Sequence, residues 1–115
     1  MRSFEDRKKT QETKHVHDEE MRFKAAARTN KLLGLWAAEL LGKSQEAAAG
    51  YAKSLVLIDF EAPGPENVIA KVIKDLAGRA SEQVIRAKFE ELQLIAQEQI
   101  ASERQGASGS APSDR

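Results

Sequence analysis

The sequence predicts an all-α protein, an antiparallel four-helix bundle with a flexible N-terminal arm and a disordered C-terminal tail. Alanine and leucine carry much of the apolar content, and aromatic residues are only 5% of the 115 residues, which favours helices over strands. Four segments repeat apolar residues at helical spacing, with short turns containing glycine or proline between them. Short turns place neighbouring amphipathic helices antiparallel.

The first predicted helix, residues 21–42, holds the single tryptophan and the densest group of leucines. At about 100° per residue, one side of it is apolar and is centred on Trp36. The residues of this side are Met21, Ala25, Leu32, Leu33, Trp36, Ala37 and Leu40. A stripe of this width needs partner helices to cover it, so we expect this helix to anchor the fold. Gly42 ends the helix, because glycine accepts the left-handed conformation of a helix C-terminus.

The other three helices follow from local start and stop signals. Ser44 and Ser81 can each accept a hydrogen bond from a backbone amide of a first helical turn. Pro65 fits the first turn of the third helix, and Gly78 ends that helix. The resulting helices cover residues 45–60, 65–77 and 82–103.

The two ends of the chain differ from the bundle of residues 21–104. Residues 1–20 are mostly charged and polar, so they bury too little to offset their ordering entropy. They contain good helix formers and neither proline nor glycine, so we expect an arm that frays when free and becomes helical against a partner. A solvated extension without a function is the alternative. Residues 105–115 are rich in glycine and serine, which predicts a disordered tail.

Composition excludes several classes of protein. There is no cysteine, so disulfides and thiolate metal sites are ruled out. No apolar run reaches the roughly 18 residues of a membrane span, and the N-terminus lacks the apolar region of a signal peptide. Eighteen basic and 18 acidic side chains give zero net charge, which argues against a general nucleic-acid binder. We expect a soluble, intracellular protein without membrane insertion.

The sequence offers no catalytic residues and no evident metal site. Its serines lie at predicted helix starts or in the tail, and both the P-loop and the dinucleotide-binding fingerprint are missing. His15 and His17 point to different sides of a helix, so solvated histidines are the favoured interpretation. Their titration near neutral pH leaves a pH effect on the arm open. The protein is predicted not to be an enzyme and to need no cofactor.

One flank of the first helix is basic, with Lys24, Arg28 and Lys31 lying together beside the apolar Leu35. Three interpretations remain open. The flank is a solvated face paired with the acidic fourth helix, a docking surface for an acidic partner with Leu35 as its apolar contact, or a weak anion site for phosphate groups.

Beyond these patterns, the chain resembles the ATPase inhibitor subunit zeta family of alpha-proteobacterial ATP synthases over residues 2–104. The block from Leu32 to Lys43 is long and unusual, which makes a chance match improbable. The matching runs are Phe4-Glu5-Asp6-Arg7, His17-Asp18-Glu19-Glu20, Phe23-Lys24-Ala25, Arg28, Asn30, Leu32-Leu33-Gly34, Trp36-Ala37-Ala38, Leu40-Leu41-Gly42-Lys43, Asp59-Phe60, Pro63-Gly64 and Ile85-Arg86-Ala87-Lys88.

The resemblance implies a four-helix bundle whose N-terminal segment inhibits ATP hydrolysis by the catalytic head of the synthase. The arm would fold into a helix between a catalytic α/β pair and the rotor γ subunit, and synthesis would be spared. Carried over to this chain, the inhibitory stretch would be about Ser3–Lys14. Its best-matched residues are Phe4, Glu5, Asp6 and Arg7, and Lys8 and Lys9 follow them in the arm.

The resemblance also implies weak binding of ADP or ATP on the bundle, for which Lys24, Arg28 and Lys31 are the physical candidates. The protein is then expected to be cytoplasmic, monomeric when free, and peripheral at the inner face of the membrane when bound to the synthase. A small nucleotide-responsive sensor or an adaptor protein is the alternative function.

Overall fold

The computed structural model describes the backbone of residues 2–113 and the side chains of residues 19–103. This part of the chain contains four helices and no strand, which confirms the predicted all-α class. The four helices are α1 (Arg2–Leu40), α2 (Gln45–Glu61), α3 (Pro65–Asp75) and α4 (Glu82–Ser113). Helix α1 contacts each of the other three, and α3 contacts both α2 and α4.

The two long helices differ most from the predicted bounds. Helix α1 begins at Arg2 rather than at residue 21, and α4 ends at Ser113 rather than at residue 103. The prediction weighed burial, whereas helix propensity and the lack of proline and glycine let a helix continue through residues 2–20. The side chains of residues 1–18 and 104–115 lie outside the described ones, so the flexible arm and the disordered tail stay predictions.

Side-chain contacts show that α1 and α4 run antiparallel. Arg28, in the middle of α1, bonds to Gln99 of α4, whereas Trp36, nearer the end of α1, lies beside the earlier Lys88. The predicted ends of α2 and α3 agree with the structure within two residues, which is the ordinary uncertainty of a helix end.

Local turn chemistry matches the sequence. Gly42 adopts a φ of 72°, and the Lys43 amide donates to the Ala38 carbonyl at 3.0 Å, which closes the end of α1 as a left-handed cap. The Ser44 hydroxyl accepts from the Ala47 amide at 3.2 Å and so caps α2. These contacts confirm that α1 and α2 are separated where glycine and serine predict.

The core is apolar and is shared by all four helices. Trp36 packs against it but is only partly buried, with the Lys88 Nζ 5.7 Å from the centre of its ring. Helix α1 contacts all three other helices, as expected of the helix that anchors the fold, but its buried core residues are Leu33 and Ala37 rather than Trp36. The buried core residues are Leu33, Ala37, Leu55, Val68, Ile69, Val72, Leu76, Ile85 and Phe89.

The smallest residue of the buried face of α1 sets how closely α1 approaches α2. A Cβ atom placed on Gly34 would lie only 2.5 Å from the Cα of Ala52, closer than two carbon atoms can come. The two helices are therefore in close contact at this point. Leu40, which the helical pattern assigned to the apolar side, is the last residue of α1 and is 39% exposed, so its assignment to the covered side is wrong.

Helix α3 is short and is fixed at both ends by polar contacts. Near its C-terminus, Asp75 accepts from the Tyr51 hydroxyl at 2.8 Å and pairs with Lys71 at 3.1 Å. Near its N-terminus, the Glu66 carboxylate accepts hydrogen bonds from both terminal nitrogens of Arg86, each at 3.0 Å. Tyr51 and Arg86 both lie in the first halves of their helices. Consequently α3 packs on the half of the bundle that holds the end of α1 and leaves the other half with three helices.

The Tyr51–Asp75 bond makes the link between α2 and α3 dependent on pH. Burial works to raise the pKa of the Asp75 carboxyl, but hydrogen bonds from Tyr51 and Lys71 outweigh it and hold that pKa below its ordinary value. Burial, reinforced by the bond to Asp75, raises the pKa of Tyr51 above its usual range. The phenol therefore stays a donor and the carboxylate an acceptor at neutral pH.

Replacing Tyr51 with phenylalanine should lower the free energy of unfolding at neutral pH by about 1–2 kcal/mol, because the ring remains and only the bond to a charged acceptor is lost. The lowered pKa of Asp75 means that this contribution is present above the unfolded-state pKa and is lost as the pH falls through the folded-state pKa. Urea unfolding at neutral and acidic pH measures the difference. A loss that does not diminish in acid would contradict the assignment.

Candidate functional site

The predicted inhibitory residues belong to the beginning of α1, which starts at Arg2. Their side chains lie outside the described ones, as do those of His15 and His17. The six residues are Phe4, Glu5, Asp6, Arg7, Lys8 and Lys9.

The three basic candidates on the bundle do lie together. Lys24, Arg28 and Lys31 line one open cavity of about 470 Å³ on the half of the bundle that α3 leaves uncovered. Its apolar wall includes Phe23 of α1, Val56 of α2 and Ile100 of α4, and Ala27 and Glu103 complete the lining. Leu35 is 36% exposed and is not part of the lining.

Arg28 is already engaged by α4. Its Nη1 donates to the Oε1 of Gln99 at 2.7 Å, and its Nη2 pairs with the Oε2 of Glu103 at 2.8 Å. Three interpretations of the basic flank were open. For Arg28, the structure agrees with the first of them, a pairing with the acidic fourth helix. Lys24 and Lys31 are exposed and form no ion pair within residues 19–103. The cavity therefore offers two uncompensated ammonium groups to a ligand or a partner.

A second open cavity of about 860 Å³ adjoins the first between α1 and α4. Phe23 and Ile100 line both cavities, so the two form one cleft with an aromatic ring between them. The remaining lining is mostly small or polar: Glu19, Met21, Arg22, Ala25, Ala26, Thr29, Gln93 and Gln97.

Phe23 is the residue of this cleft that sequence reasoning missed. It is 64% exposed, although it is one of the few aromatic side chains of the protein. Helical spacing gave no signal, because at about 100° per residue Phe23 shares a face of α1 with Asn30, which is buried. Its exposure depends on where along α1 the other helices pack, which the local sequence does not contain.

The residues of the cleft do not form a metal site, and no three histidine, cysteine or acidic side chains in the described part of the chain are placed to hold a metal ion. Among the described residues that line the cleft, Arg28 and Glu103 form an ion pair. The cleft can bind an anion through its lysines or an apolar side chain against Phe23, and it shows no arrangement of nucleophile and base.

Comparison with known proteins identifies the relatives of this chain. The family model described as ATPase inhibitor subunit zeta matches residues 1–99. The chain belongs to the ATPase inhibitor subunit zeta family. A solved relative is a protein whose structure was determined by NMR in solution. It is 51% identical, with 72% of this chain and 98% of that chain covered and a TM-score of 0.66. No curated protein matches this chain.

Membership of the zeta family indicates a regulatory, non-catalytic protein that inhibits an ATPase and associates with the ATP synthase. The match includes the whole of the predicted arm and the residues that line the cleft around Phe23, apart from Ile100 and Glu103. Within the part of the chain that the structure describes, none of the helices combines the length and the apolar character that crossing a membrane requires.

Proposed function

We propose that this protein inhibits ATP hydrolysis by the catalytic head of the ATP synthase, and that residues 1–20 are the inhibitory arm. The arm enters between a catalytic α/β pair and the rotor γ subunit and blocks rotation in the direction of hydrolysis. The observation that carries the proposal is the zeta family match, which begins at residue 1 and therefore includes the arm.

The continuity of α1 supplies a physical basis for the arm. Helix α1 runs without a break from Arg2 to Leu40, and the bundle buries Leu33 and Ala37 in its second half. Starting a helix is the costly step, whereas extending one adds a hydrogen bond for each residue fixed. An arm attached to a buried helix needs only extension, which lowers the cost of folding against the target.

The residue types of the arm indicate which contacts it makes with the target. Phe4 is its large apolar anchor, and Arg7, Lys8 and Lys9 pair with carboxylates of the target. Coupled folding of such a segment spends about 2–5 kcal/mol of its contact energy on ordering. Docking of the bundle beside the arm offsets this cost by raising the effective concentration of the arm at its site.

Phe4→Ala should weaken inhibition of hydrolysis more than Gln11→Ala, because only the first removes a large apolar contact. The loss for Phe4→Ala should be about tenfold or more in the concentration giving half-inhibition, as for an aromatic anchor of an interface. Hydrolysis by the isolated catalytic head is measured against increasing concentrations of each full-length variant. Equal effects of the two substitutions would remove Phe4 as the anchor.

Weak binding of ADP or ATP is a second proposal, favoured by the cavity that brings Lys24, Arg28 and Lys31 together. Since Arg28 is held by Glu103, the free lysines make the first contact with phosphate groups. Nucleotide added to the isotope-labelled protein should shift amide resonances of residues 24–31, and Glu103→Gln should increase the affinity by releasing Arg28. Resonance shifts confined to other helices would refute this placement.

A further inference from the structure

Phe23 occupies a position that the bundle does not use. It is 64% exposed and lines both cavities, so its ring stands in the middle of a cleft rather than on a convex surface. The helix beneath it is held rigidly, because Thr29 and Asn30, within two turns, are buried. A rigid, exposed aromatic ring costs little entropy to immobilise and is typical of the anchors of protein interfaces.

The charges around the ring define the chemistry of a partner. Lys24 and Lys31 carry no compensating carboxylate within residues 19–103, whereas Arg28 is neutralised by Glu103. The cleft therefore presents an aromatic and aliphatic floor with uncompensated positive charge on one side. A segment that complements it has apolar side chains on one face and acidic side chains beside them.

The shape of the cleft fits a helix. It lies between α1 and α4, on the half of the bundle that α3 leaves uncovered. A groove between two helices accommodates the apolar face of a third, as α3 does on the other half of this bundle. Gln93 and Gln97 on the α4 side of the groove supply side-chain donors and acceptors for its polar edge.

We propose that the cleft centred on Phe23 docks an acidic, amphipathic helical segment of the same protein assembly that the arm inhibits. The inference rests on the proposed function for the identity of the partner. Phe23 follows Lys14 on the same helix by nine residues, which is about 14 Å at the rise of an α-helix. A partner that holds the arm is therefore within reach of the cleft, and the two contacts act together on one rigid helix.

Two pairs of matched full-length variants test the docking site. Phe23→Ala is compared with Phe60→Ala, whose ring is 68% exposed on α2 and lines neither cavity. Lys24→Glu is compared with Lys53→Glu, which changes an exposed lysine of α2 outside both cavities. All four changes are made at exposed positions, and thermal unfolding of each variant checks that the bundle is intact.

Binding of each variant to the isolated catalytic head is measured without nucleotide, because phosphate groups would compete for the same lysines, and hydrolysis is then measured with the same preparations. We expect Phe23→Ala to weaken binding about tenfold. Lys24→Glu should weaken it by a factor that shrinks as salt is added. The two control variants should bind as the unchanged protein does.

The outcomes separate this inference from the proposed function. If the unchanged protein binds and inhibits but Phe23→Ala and Lys24→Glu bind as tightly as their controls, the docking site is overturned and the inhibitory function stands. If the unchanged protein binds through Phe23 and Lys24 but does not slow hydrolysis, the docking site stands and the inhibitory function is overturned. Absence of any binding overturns both.

Discussion

Gly34→Val is expected to destabilise the bundle by about 3 kcal/mol, at the upper end of the usual cost of overpacking. The first added carbon would lie 2.5 Å from the Cα of Ala52 and 3.0 Å from its Cβ. Because the nearer obstacle is backbone rather than the end of a flexible side chain, α1 and α2 must move apart. That movement loosens the packing of the two helices along their contact.

Gly50→Val is the matched control. Gly50 also lies inside a helix, α2, but a Cβ placed on it would have no neighbouring heavy atom within 4 Å. The same substitution there should leave the free energy of unfolding within about 0.5 kcal/mol of its original value. Urea unfolding followed by circular dichroism measures both variants, and similar stabilities for the two would contradict the close approach of α1 and α2.

Helix number and most helix ends could be predicted from the sequence because they depend on neighbouring residues. The left-handed Gly42, the capping hydroxyl of Ser44 and Pro65 at the start of α3 each act within a few residues of their own position. Such signals are complete in one stretch of chain. The early start of α1 at Arg2 was missed because residues 2–20 are mostly charged and polar and show no apolar pattern.

How deeply each apolar side chain is buried in the core could not be predicted in the same way. Helical spacing assigns an angle to Trp36 and Leu40, but their burial depends on how closely another helix approaches. Trp36 is only partly buried and Leu40 is 39% exposed, although their angles place them on the apolar side. The close approach of Gly34 to Ala52 is likewise a contact between two helices, which no local pattern contains.

In the candidate site, too, the features that depend on neighbouring residues could be predicted, and the contacts between helices could not. The spacing of Lys24, Arg28 and Lys31 predicts a shared flank, and the three do line one cavity. The neutralisation of Arg28 by Glu103 depends on the register between α1 and α4, which no local pattern contains. The cleft around Phe23 likewise exists because α3 is short and packs on the other half of the bundle.

Deleting residues 2–14 is expected to abolish inhibition of ATP hydrolysis while leaving the melting temperature of the bundle nearly unchanged. Among the described side chains, every residue of the core cluster lies at position 33 or later, so the deletion leaves the cluster itself unchanged. It does remove Phe4 and the basic side chains that the proposal assigns to the target. A variant with the order of residues 2–14 scrambled is the control, since it keeps the length and charge of the arm.

The most direct measurement is the rate of ATP hydrolysis by the isolated catalytic head of the synthase as the full chain, the truncated chain and the scrambled chain are each added. The account predicts that the full chain slows hydrolysis and that the other two do not, although all three melt at nearly the same temperature. Equal inhibition by the full and truncated chains would contradict the assignment of residues 1–20 as the inhibitory arm.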